Sequence, residues 1–150
     1  MLNYKIYSQE HAEWVVLVHG AGGSSTIWYK QIRAYRKHFN VLAVDLRGHG
    51  ACRIDNSPTK YTLDLVSKDI LDVLDSLEIE KAHFVGISLG TMLIRHLAET
   101  NPERFHTMLL AGAVIRLTPR LHMLLGIANT FKKMIPFMWL YKMFAWILMP

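Results

Sequence analysis

The sequence predicts an α/β fold, a mostly parallel sheet with helices on both faces. Three observations carry the prediction. Trp14–Val18 is a continuous β-branched run, and further largely apolar segments recur at Val41–Val44, Ala82–Ile87 and Thr107–Ile115, as expected of strands buried on both faces. Stretches with apolar residues three to four apart separate them, and strands alternating with helices close into parallel pairs through right-handed crossovers. The first run ends in the glycines of His19-Gly20-Ala21-Gly22-Gly23.

Taken in order, Leu2 to Tyr7 alternates Leu2, Tyr4 and Ile6 with Asn3 and Lys5 and reads as a short strand. Trp14–Val18 is the first buried strand and ends at His19-Gly20-Ala21-Gly22-Gly23. Ser24 or Ser25 can then cap a helix whose apolar positions are Ile27, Trp28, Ile32 and Tyr35. Val41–Val44 closes on Asp45, and residues 46–61 form a loop with Gly48, Gly50, Asn56 and Pro58 as turn residues. Thr62 is an N-cap for a helix striped by Leu63, Val66, Ile70, Val73, Leu74 and Leu77. Ala82–Ile87 is the third buried strand, and Ser88 follows it. Met92, Leu93, Leu97 and Ala98 then pattern a helix that stops before Asn101-Pro102. Thr107–Ile115 is the last buried strand, with His106 at its start. From Thr118 the chain is helical in pattern and rich in Met, Phe and Trp.

Composition removes several function classes. Seventeen Lys and Arg stand against twelve Asp and Glu, but they are scattered, so no nucleic-acid-binding stripe is expected. The eight histidines are dispersed without metal-ligand spacing, and neither metal nor cofactor is predicted. Cys52 is the single cysteine, which forbids an internal disulfide and fits a reducing compartment. The first ten residues hold no apolar stretch of signal-peptide length, and a cytoplasmic protein is the expectation. The apolar stretch 134–149 is too short to span a membrane, which needs about 20 residues. It also carries Pro136 and Lys142.

Val85 to Thr91, V-G-I-S-L-G-T, sets one serine between a strand and a helix. A direct strand-to-helix turn forces that serine into a strained backbone conformation and pushes its hydroxyl out of the sheet. Gly86 and Gly90 then have a steric reason, since side chains there would collide across the turn. The helix that follows turns its unpaired N–H groups toward the place where negative charge develops in acyl transfer. Ser88 is therefore the candidate nucleophile, and the N–H of Leu89 a candidate oxyanion donor. A second donor is expected from the loop after Val18, with Ala21 chosen and Gly22 behind it. His19 is read as fixing that loop rather than taking a proton, and Gly20 as allowing close approach.

These residues carry a resemblance. H-G-A-G-G-S-S with Trp28, D-L-R-G-H-G from Asp45 to Gly50, and G-I-S-L-G-T from Gly86 to Thr91 resemble the α/β-hydrolase superfamily over about residues 15–113. The resemblance implies that Ser88 belongs to a serine, acid, histidine triad acting on an ester or other acyl bond. It excludes the branch with an aspartate nucleophile. The sequence departs from the family at Cys52, where serine is common, and at Ile87, where histidine is common.

In that family the acid and the base follow the nucleophile. Here no Asp or Glu occurs after Glu103, and the only later histidines are His106 and His122. His49 reads as a loop-packing residue. The expectation is an amino-terminal portion of a longer enzyme: residues 1–116 as part of an incomplete hydrolase core, and 117–150 as the start of a helical lid. Such a portion is expected to be nearly inert alone and to expose a sheet edge. The expected partner is a small ester or acyl substrate with an apolar part. Two alternatives stand beside this. Gly20 to Ser25 followed by Asp45 mimics a dinucleotide-binding fingerprint, and the fold could serve as a non-catalytic binding module.

Overall fold

The computed structural model describes residues 1–52 and 61–113, together with the single helical positions Met123, Gly126, Thr130, Trp139 and Lys142. The chain divides into two compact units, Met1–Val114 and Ile115–Pro150. In the first, five strands form one sheet: β1 (Asn3–Tyr7), β2 (Trp14–Val18), β3 (Asn40–Asp45), β4 (Ala82–Ile87) and β5 (Phe105–Ala111). Their spatial order is β1-β3-β2-β4-β5. β1 runs antiparallel to β3, and every other pair is parallel.

The helices are α1 (Tyr29–Tyr35), α2 (Leu63–Ser76) and α3 (Leu89–Thr100). Side chains alternate across a strand, so one face of the central strands presents Val16, Val18, Leu42, Val44 and Phe84. These pack with Ile70, Leu74, Leu93, Ile94 and Leu97 of α2 and α3. The other face presents Val15, Leu17, Val41, Ala43 and Val85 to Trp28 and Ile32. Both faces of β2 and β3 are thereby closed, which is why their sequences show no polar alternation. Thr62 caps α2 as its sequence predicts, its hydroxyl accepting from the N–H of Leu65 at 3.2 Å.

Winding reverses at β2. The chain leaves β2 for β3 on one side, returns to the other side as β4, and continues outward to β5. In open α/β sheets the crevice at such a reversal, outside the carboxyl ends of the strands, is where ligands bind. The strands at this reversal are β2 and β4, paired in register from Val15–His83 to Val18–Gly86. His19 leaves one and Ser88 the other.

Two elements differ from their sequence expectation. The helix after the glycine loop opens as a 3-10 turn, Ser25–Trp28, before α1 begins at Tyr29. The change of winding shifts the helical phase and leaves Ile27 43% exposed. No side-chain cap bond forms there; Ser24 Oγ pairs with Thr26 Oγ1 at 2.6 Å instead. The last strand starts two residues earlier than expected, at Phe105, and ends at Ala111. It is not buried, because it lies at the sheet edge: Met108 is 47% and Leu109 51% exposed, one on each face. Val114, Ile115 and the bulk of the tail expected as a lid lie outside the described residues. No helix among the described residues is long and apolar enough to cross a membrane.

Candidate active site

β4 ends at Ile87 and α3 begins at Leu89, so Ser88 alone makes the turn. Its backbone takes φ 51° and ψ −114°, in the left-handed half of the map where a side chain costs about 1–3 kcal/mol. The surroundings hold it there. Ser88 N–H donates to the Ala111 carbonyl at 3.2 Å, and its own carbonyl accepts from Thr91 N–H at 2.9 Å and Thr91 Oγ1 at 2.6 Å. The flanking glycines have no room for a side chain. A Cβ on Gly86 would stand 2.6 Å from Ile94 Cδ1 and 2.9 Å from the Gly90 carbonyl, and one on Gly90 would run into the Val18 carbonyl. Ser88 is exposed, and its hydroxyl has no hydrogen-bond partner among the described residues.

The loop after β2 lies against this turn. A Cβ on Gly20 would be 3.2 Å from both the Ile87 carbonyl oxygen and Ser88 Cβ, and 3.8 Å from Ser88 Oγ. Glycine is what lets the two strand ends close up. The loop then folds on itself, with Gly23 N–H donating to the Gly20 carbonyl at 3.1 Å and Gly22 at φ 73°. Ala21 and Gly22 are exposed. Among the described residues neither the N–H of Ala21 nor that of Leu89 has a partner.

His19 is fully buried, and both ring nitrogens are engaged. Leu46 N–H donates to Nε2 at 3.0 Å, so Nε2 carries a lone pair and the proton sits on Nδ1, which donates to the Gly20 carbonyl at 2.7 Å. Burial pushes the ring below its ordinary 6.5, and His49, 5.3 Å away, adds to this; the Gly20 bond and the Asp45 charge oppose it without prevailing. A base with a depressed folded value contributes stability that is present above 6.5 and lost as pH falls from there toward the folded value. Thermal midpoints are therefore expected to fall between pH 7.5 and 5.5, and His19→Gln to flatten that slope. An equal slope in the variant assigns the effect to other groups.

Two features escaped the sequence reading. Asp45, 3% exposed, accepts from Ser25 N–H at 2.6 Å, Ala51 N–H at 2.9 Å and Asn3 Nδ2 at 2.9 Å. Burial works against its charge, but the N–H groups of Ser25 and Ala51, the Ser25 hydroxyl and the Asn3 amide outweigh it and hold the carboxyl below the ordinary range. Arg47 forms a two-pronged bond to Asp69 of α2, at 2.6 and 2.7 Å, and ties the D-L-R-G-H-G loop to that helix. A carboxylate beside Ile70 on the buried stripe was the available signal. Asp45 also disposes of the dinucleotide alternative, because the oxygens that a ribose would need are already taken.

The remaining histidines lie elsewhere. His106 is near the start of β5, whose far end Ala111 pairs with Ile87, so it is about 16 Å of strand away from the turn. His96 bonds Asp64 at 2.9 Å, two turns along α3. His49 donates to or accepts from nothing at Ser88; its Nδ1 bonds the Arg47 carbonyl at 3.0 Å. His122 is outside the described residues. Among the described residues no group of three His, Cys, Asp or Glu side chains could hold a metal ion.

Comparison with known proteins agrees with this geometry. The profile of the alpha/beta hydrolase fold family matches residues 13–148. 3-Oxoadipate enol-lactonase 1 of Acinetobacter baylyi is 32% identical over 116 residues, covering 77% of this chain and 42% of that protein. A hydrolase of Pseudomonas aeruginosa superposes with a TM-score of 0.76 at 34% identity, over 87% of this chain and 49% of that one. The enol-lactonase of Burkholderia xenovorans does so at 0.67 and 34%, over 71% and 41%. The chain thus spans less than half the length of each of these relatives. With its reversal of winding at β2, its serine turn and a family match across nearly all of its length, the chain belongs to the α/β-hydrolase family.

Proposed function

We propose that Ser88 is the nucleophile of a serine hydrolase acting on small esters or lactones. The observation that carries the reading is the turn itself: an exposed hydroxyl held at positive φ between strand and helix, with the glycine loop packed so closely that a Cβ on Gly20 would stand 3.8 Å from Ser88 Oγ. Ser88 Oγ attacks the carbonyl carbon, its proton passes to a base, and the carbonyl oxygen becomes an anion facing the N–H groups of Ala21 and Leu89. Collapse expels the alcohol or opens the lactone, leaving an acyl-serine. Water then releases the acid and restores the hydroxyl. No metal or cofactor takes part. Relatives named for enol-lactone hydrolysis support a small substrate, and the Met-, Phe- and Trp-rich composition of residues 117–150 supports an apolar part to it. A cytoplasmic setting suits the single Cys52.

The reaction needs a base within hydrogen-bond reach of Ser88 and an acid behind it. No described histidine bonds Ser88, and no Asp or Glu follows Glu103. These 150 residues alone are therefore expected to react slowly, at the level an oxyanion site supports without a triad. A serine-directed phosphonate tests the assignment, since it asks only for a reachable serine and oxyanion donors. Mass mapping is expected to place the adduct on Ser88. Labelling spread over several serines overturns the assignment.

A further inference from the structure

We propose that Asp45 is a positioning residue for the oxyanion loop, fixing the direction of the Ala21 N–H through its grip on Ser25; the role rests on reading Ser88 as the nucleophile. A loop that must present one amide to a reacting carbonyl has to be stiff, since misplacing a donor by about 1 Å can cost 10²-fold. This one has little stiffness of its own. Three of its first five residues are glycine, and glycine leaves the backbone nearly free.

Stiffness comes from the two ends. At the first, Leu46 N–H holds the His19 ring, and that ring holds the Gly20 carbonyl. At the second, Asp45 Oδ1 holds Ser25 N–H at 2.6 Å. Both moorings belong to consecutive residues at the carboxyl end of β3, a strand paired with β2 from Asn40 to Val44 and with β1 at Asp45. The loop is thus a span pinned at each end to one rigid support. Its internal geometry fixes the donor. The Gly20 carbonyl is turned toward His19 Nδ1 and Gly23 N–H, and across a trans peptide the next N–H points the opposite way. Ala21 N–H is therefore turned away from both and outward. Free the Ser25 end, and the Gly20–Ala21 peptide can rotate.

Asp45 is itself immobilised for the task. Its other oxygen accepts from Ala51 N–H and Asn3 Nδ2, and a Cβ on Gly50 would stand 2.5 to 2.7 Å from the carboxylate oxygens. No cation pairs with it among these contacts. Its donors are neutral groups from three separate segments, the arrangement of a carboxylate that sets loops in register rather than one that balances charge.

Asp45→Asn tests this in the 150-residue chain. An amide keeps one acceptor oxygen but sets an NH₂ against the second N–H. The phosphonate labelling rate at Ser88 is expected to fall at least about 10-fold, as for a misdirected oxyanion donor. In the ¹H–¹⁵N spectrum the Ala21 and Gly22 amides are expected to shift. Thr62→Ala removes the cap of α2, touching neither Asp45 nor the loop, and is expected to label within about twofold of the parent. If Asp45→Asn does not fold, Ser25→Pro deletes the mooring N–H together with the Ser25 hydroxyl, both of which serve Asp45, at the first position of a helical turn where proline is tolerated, and is expected to give the same loss. Parental labelling with an unmoved Ala21 amide overturns the proposal, as does an equal loss in Thr62→Ala. An unlabelled parent chain overturns instead the reading of Ser88, and the Ala21 amide then decides the role of Asp45 by itself.

Discussion

Replacing Ser88 by alanine is expected to abolish phosphonate labelling and to bring aryl-ester hydrolysis down to the buffer rate, while stability stays within about 0.5 kcal/mol. The argument separates chemistry from fold. The hydroxyl bonds nothing among the described residues, whereas the main chain of Ser88 does the structural duty through Ala111 and Thr91. Alanine keeps that main chain and suffers the same positive φ. Glycine does not suffer it. Ser88→Gly is therefore expected to be silent toward the probe yet more stable than the parent by about 1 kcal/mol, the relief of local strain less the entropy that glycine adds to the unfolded chain. Chemical denaturation of the three proteins measures this ordering. A glycine variant less stable than the alanine variant would show that residue 88 is not strained.

Gly90→Val is the substitution expected to damage the fold itself most. A Cβ at this position meets the main-chain carbonyl of Val18 and lies 2.9 Å from that of His19. Neither carbonyl can retreat cheaply, because Val18 pairs with Gly86 on one side and Val44 on the other. Relief must come from moving α3 off the sheet, which opens the contacts of Leu93, Ile94 and Leu97, each no more than 1% exposed. Overpacking of this kind costs about 3 kcal/mol, a large part of the stability of an ordinary domain. A midpoint shift in urea measures it. A valine variant as stable as the parent would mean that α3 does not press on the end of β2.

The central strands and the serine turn were legible in the sequence because each leaves a local mark. Burial on both faces writes an unbroken apolar run at Trp14–Val18 and Val41–Val44, and a helix jammed against a strand end writes glycine at 86 and 90. β5 was misread for the same reason that β2 was read correctly. Its sequence has the composition of an interior strand, and nothing in Met108 or Leu109 says that β5 is the outer strand of the described sheet. The first turn of the first helix was read as α rather than 3-10, because the two differ in phase by less than one residue per turn. Asp45 could not be read at all. Its partners are main-chain groups at positions 25 and 51 and an amide at position 3, brought together only by the folded sheet.

The reversal of winding at β2 has a consequence for how such a molecule tolerates change. The serine and the loop facing it depart from neighbouring strands, so their separation is a multiple of the interstrand repeat, about 4.8 Å. That ruler is made of peptide hydrogen bonds and belongs to no side chain. Exchanges among valine, leucine and isoleucine beneath the crevice are thus expected to erode melting temperature long before they spoil alignment.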